Sequence, residues 1–159
     1  MSLTKQMARH LREIHFGGNW TWSNIKDSLA DVTWEQATTQ IYSCNSIAAL
    51  VFHMNFYLNV VSLRLQGKSI KFKHENSFDG PLITSEQEWQ NLLQKTWADA
   101  DDFANVIEQF PEHKLWDNIS DEYGNYYKNI HGVVEHNHYH LGQIVILKKI
   151  LLGKQTSGT

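Results

Sequence analysis

SIAALVFHMNFYLNVVSLRLQ, residues 46–66, is the most apolar stretch of the chain, and its reading decides the fold. Ile47, Leu50, Val51, Met54, Tyr57, Leu58, Val61 and Leu65 recur at three- and four-residue intervals, the spacing of one wide helical face. Asn45-Ser46 offers a cap at its start and Gly67 a stop at its end. The stretch therefore reads as a buried helix. It carries one imidazole, His53, among its apolar side chains.

The same period runs outward in both directions. Upstream, Leu3, Met7, Leu11 and Ile14 share one face of a helix over 2–15, which Gly17-Gly18 breaks. Trp22, Ile25, Leu29 and Val32 then continue that arm after a kink, and Thr33-Trp34-Glu35-Gln36 reads as a short helical turn. Downstream, residues 68–83 show little periodicity and contain Gly80-Pro81, a long loop. Thr84-Ser85-Glu86-Gln87-Glu88 has the pattern of a capping box, a hydroxyl and a carboxylate each satisfying a free amide. The helix behind it runs to about Phe110, where Pro111 stops it. An irregular connection over 111–124 leads to a last helix, from about Asn125 to Leu152, with Gly153 as its stop. No strand pattern competes. Four long amphipathic helices bury their stripes most simply against one another, so the fold class is all-α, a four-helix bundle. Residues 1–153 form one domain and 154–159 a polar C-terminal tail.

Composition narrows the function. Hydrophobic residues make up 42% and charged residues 19% of the 159, which places the chain among globular proteins rather than disordered ones. The net charge is −3 with both signs mixed and no basic stripe, which argues against nucleic acid. No segment reads as a membrane span, and Met1-Ser2-Leu3-Thr4-Lys5-Gln6 lacks the apolar run of a signal peptide. Cys44 is the single cysteine, so no internal disulfide or paired-thiol metal motif is available. A cytoplasmic location is expected.

The chemistry lies in Glu135-His136-Asn137-His138-Tyr139-His140-Leu141-Gly142-Gln143. Residues four apart on a helix are ~40° apart in projection and ~6 Å apart along the axis. His136 and His140 therefore face the same way, on the apolar stripe of Val133, Asn137, Ile144, Leu147 and Leu151. His138 points ~160° away. Two inward imidazoles need partners, and a divalent ion would satisfy both. It would need a further ligand from another helix, and His53 is the best candidate. His131, Glu135 and His138 make a separate stripe, read as a polar edge. The metalloprotease pattern HExxH is absent, because Asn137 follows His136.

A lone histidine in the second long helix and a late H-x-x-x-H followed by x-G-Q resemble the DinB/YfiT-like superfamily. The matching residues are His53 and "HNHYHLGQI" with His136 and His140; "TWEQA" at 33–37 and "GGNWTW" at 17–22 are similar to family segments as well. The likeness covers nearly the whole chain. It implies an up-down-down-up four-helix bundle, usually a homodimer, with a divalent metal on His53, His136 and His140. Members include transferases that use low-molecular-weight thiols, and many others without a known reaction. The family often has a basic residue just before the Gly-Gln pair; this chain has Leu141 there.

Three histidines are the ligand count of a catalytic rather than a closed structural site. Zinc or nickel suits imidazole. The expected function is a metal-dependent transferase or hydrolase-like enzyme that activates a thiol or water; the alternative is a non-catalytic metal- or small-molecule-binding module. No residue is singled out as a catalytic acid or base. Gln143, Asn55 and Asn137 are candidates to bond the outer ring nitrogens or orient a substrate. Trp20 and Trp22 are expected to seal the end of the core rather than line a pocket mouth.

Overall fold

In the computed structural model, residues 1–68 and 70–156 are described, with backbone only for 154–156. The chain is mostly helical. Four long helices, α1 (Leu3–Phe16), α4 (Ile47–Leu65), α5 (Glu86–Gln109) and α6 (Tyr126–Thr156), are joined by two short ones, α2 (Ile25–Leu29) and α3 (Trp34–Thr38). Each N-terminus is closed by a side chain written just ahead of it. Ser2, Asn24, Thr33, Ser46 and Ser85 each accept an amide from the first turn that has no partner inside its helix. Gln36 completes a capping box on Thr33. Glu88 accepts from both the Thr84 amide and its hydroxyl. Such caps contribute about 1 kcal/mol each.

The long helices close a ring in the order α1, α5, α4, α6 and back to α1. Leu11, Ile14, Met54, Leu58, Trp89, Phe103, Ile107, Ile130 and Ile144 fill its centre. Trp89 is fully buried and donates its Nε1–H to Val32 O at 2.8 Å, tying α5 to the segment after α2. Asn55 donates to Thr96 Oγ1 at 2.8 Å, a buried polar link from α4 to α5. Arg12 of α1 bonds Asp101, Asn105 and Glu108 of α5 at the surface, where such pairs add little.

The structure departs from the sequence reading in five places. The arm after Gly17-Gly18 is not a kinked continuation: a loop and the separate α2 replace it. Trp20 and Trp22 do not seal the core, being 94% and 95% exposed. Asn19 takes that position, bonded to Glu13 O, Ser23 O and Thr21, and its bonds wind the loop so that both indoles face outward. Residues 68–83 contain a 3₁₀ turn, His74–Phe78, that sits on α4. Residues 118–125 form a small antiparallel ribbon, β1 (Asn118–Ser120) and β2 (Gly124–Asn125), too short to show an alternating pattern. Gly153 does not stop α6, because one helical glycine costs only ~1 kcal/mol. The last residues of the polar tail, 157–159, lie outside the described residues.

One further correction concerns α4. It is long and apolar enough, by length and composition, to cross a bilayer, with mean hydropathy 1.3. Its apolar side chains meet α5 and α6 instead, and Leu50, Val51, Met54 and Leu58 are all nearly inaccessible.

Candidate metal centre

His53 lies two turns into α4, facing α6. His136 and His140 lie one turn apart on α6, on the face that buries Val133, Asn137, Ile144, Leu147 and Leu151. The packing of α4 on α6 brings the three rings together. His136 Nε2 is 3.0 Å from His53 Nε2 and 3.0 Å from His140 Nε2. One ligand atom from each ring lies within 4.8 Å of the others, and no fourth His, Cys, Asp or Glu joins the group among the described residues. Three nitrogens bound tetrahedrally to one zinc-sized ion at ~2.0–2.1 Å stand ~3.3 Å apart. Two of the three pairs are within a few tenths of an ångström of that spacing, and the His53–His140 pair lies within 4.8 Å.

The outer nitrogens fix the tautomers. Ser77 Oγ–H donates to His74 O at 2.6 Å, so the same oxygen accepts from His53 Nδ1–H at 2.8 Å. His140 Nδ1–H donates to Gln143 Oε1 at 2.6 Å, and the Gln143 amide donates to Tyr139 Oη at 3.1 Å. His53 and His140 therefore both turn an Nε2 lone pair toward His136 Nε2. A proton there can satisfy only one of the two. His136 Nδ1 is buried and has no partner. If His136 carries its proton on Nδ1 instead, three lone pairs converge and that N–H is orphaned. A cation at the meeting point satisfies all three, so the residues fit a divalent metal.

Electrostatics agree. Burial, with His140 and His74 nearby, pushes His53 down to about 4. Burial, with His140 and His53 nearby, pushes His136 down to about 3. Burial also lowers His140, against the opposing bond to Gln143. All three are neutral at physiological pH, the form a metal ligand requires.

A roof covers the rings. Phe78 stacks on His53 with centroids 4.1 Å apart, and Tyr57 stands edge-on to His53 and His136 at 5.1 and 5.0 Å. The Tyr57 hydroxyl bonds His74 Nδ1 at 2.8 Å. Sequence reasoning missed Ser77, Phe78, Tyr57 and His74. Tyr57 had a signal, its i+4 spacing from His53; the other three sit in a segment without periodicity.

The remaining sequence candidates fall elsewhere. Asn55 is directed to Thr96, and its Oδ1 has no partner. Asn137 is fully buried with neither amide atom bonded. His138 packs beside His10 of α1 at 5.6 Å, away from the cluster. His131 pairs with Glu135 at 3.3 Å on an exposed edge.

No family model, no curated protein and no solved structure matches this chain.

Proposed function

We propose that this chain is a divalent-metal-dependent enzyme of the DinB/YfiT-like kind, a thiol transferase or hydrolase-like protein with His53, His136 and His140 as its metal ligands. The observation that carries the reading is the hydrogen-bond count at the cluster: a proton on His136 Nε2 leaves two ring nitrogens unsatisfied, whereas one cation satisfies the three inward lone pairs and leaves only the His136 Nδ1–H unpartnered. Zinc or nickel suits this donor set. Held by His53, His136 and His140, a divalent ion would supply a Lewis acid able to lower the pKa of a water or thiol. The chain's own residues prepare that chemistry. Ser77 and Gln143 hold two rings in the ligating tautomer, and Phe78 and Tyr57 shield the cluster from bulk water.

Two features support an up-down-down-up bundle. The long helices close a ring. The connection from α4 to α5, residues 66–85, reaches far beyond the ~28 Å length of the 19-residue α4, as two parallel neighbours require. The homodimer reading is supported by Tyr139, Ile146 and Ile150, apolar and exposed along α6. The cytoplasmic reading is supported by the unpaired, exposed Cys44.

Metal analysis of purified protein beside the His136→Ala/His140→Ala variant tests the proposal. One ion per chain in the wild type and loss in the variant is the expected result. Equal content in both removes its basis.

A further inference from the structure

Arg64, at the C-terminal end of α4, is 92% buried (8% exposed). Its guanidinium stacks on Tyr123 at 3.6 Å and lies 5.6 Å from the Phe72 centroid. Nη1 donates to Asn129 Oδ1 at 3.3 Å, and Nη2 has no partner. No carboxylate pairs with it among the described residues. Aromatic stacking and one long hydrogen bond do not match the cost of burying a guanidinium, which an anion ordinarily offsets.

The surroundings show where that anion belongs. Arg64 lines a cleft of about 280 Å³ that also holds Lys128, Tyr57 and, at its other end, His136. Two cations and no carboxylate line it. Asn129 and His136 are seven residues apart on α6, so the guanidinium and the cluster stand about 10 Å apart along the helix. Gly132 lies between them, and a Cβ built on it would meet nothing within 4 Å. The missing side chain leaves the floor of the cleft open.

We infer that Arg64, with Lys128, is the anion-holding end of a substrate cleft whose reacting end is the histidine cluster. The ligand is a small organic anion that carries a carboxylate or phosphate about 10 Å from the group presented to the cluster. A guanidinium with one buried, unpartnered nitrogen suits either by a charge-assisted N–H bond. The inference rests on the metal reading for what happens at the far end, while anion capture at Arg64 stands without it.

Isothermal titration of inorganic phosphate and of suberate, a straight-chain dicarboxylate, into metal-stripped and zinc-loaded protein tests this. The stripped wild type is expected to bind both, and the tighter of the two distinguishes phosphate from carboxylate as the preferred group. Arg64→Gln should weaken both by roughly tenfold or more. Gly132→Leu should weaken suberate by a similar factor with zinc content unchanged, and it carries the test alone if Arg64→Gln does not fold. Gly132 does not line the second cleft beside Arg64, formed with Lys68 and Ser120, so this variant also distinguishes the two. Arg64-dependent anion binding in protein that takes up no zinc would uphold the anion end while removing the metal reading. A wild type that binds neither anion overturns the inference. So does undiminished binding in a folded Arg64→Gln variant, or undiminished suberate binding in Gly132→Leu.

Discussion

Ser77→Ala isolates the part of the site that lies outside the three candidate ligands. Ser77 is fully buried in the 3₁₀ turn above α4, and its oxygen takes the His53 Nδ1 proton at 2.8 Å. Alanine keeps the volume nearly constant and removes that acceptor, together with the hydroxyl's own bond to His74 O. The two neutral tautomers of imidazole are close in energy, so the proton is then free to move to Nε2, where it blocks ligation. Restoring the ligating tautomer leaves a buried N–H unpaired, at a cost of about 1–3 kcal/mol. Metal affinity should therefore fall about 10–100-fold, the usual range for losing the group that orients a ligating histidine. Competition against a fluorescent zinc chelator measures this directly, with circular dichroism as the check on folding. A folded Ser77→Ala variant that holds zinc within about twofold of the wild type would refute the tautomer argument, since the implied change is far below the cost of the lost bond.

Two further predictions concern the scaffold. His15 is buried in α1 and burial pushes it from 6.5 down to about 4, so its neutral form is the folded one. Its contribution is complete above pH 6.5 and is lost as pH falls toward about 4, at ~1.4 kcal/mol per pH unit, because the unfolded chain takes up the proton first. Urea unfolding at about pH 5 and at neutral pH should show His15→Phe losing ~2 kcal/mol less than the wild type over that interval; equal losses would mean that His15 is protonated in the folded state. Gly80→Ala would place a Cβ 2.8 Å from the Phe52 ring, and the backbone at Gly80 must shift away from α4. A loss of about 1–3 kcal/mol in urea unfolding is expected, and an unchanged midpoint would show that the backbone at Gly80 already has room to move.

The helices were legible wherever one periodic face met one core. The stripe Val133, Asn137, His140, Ile144, Leu147 and Leu151 is buried throughout, and Ser46 and Ser85 cap the helices they precede. The approach of His136 and His140 followed from helical spacing alone. That His53 meets them depends on how α4 packs against α6, which no spacing within one helix shows; its place in the most apolar helix made it a candidate only. The roof was not legible. Ser77 is 24 residues from His53, and nothing in a segment without periodicity marks where it folds back. Trp20 and Trp22 misled because bulk and apolarity suggest burial, whereas the bonds of Asn19 wind the loop and turn both indoles to solvent. Arg64 carried no signal either. Its sequence neighbourhood is that of any helix end, and its lack of an anionic partner shows only in three dimensions.

The central claim is that three side chains from two helices grip one cation and leave part of it open. Crystals grown with zinc and measured on both sides of the zinc absorption edge test it most directly. One anomalous peak is expected at ~2.0–2.1 Å from the Nε2 atoms of His53, His136 and His140, with no fourth protein donor. No peak among those rings, or a peak closed off by a fourth side chain, would contradict it.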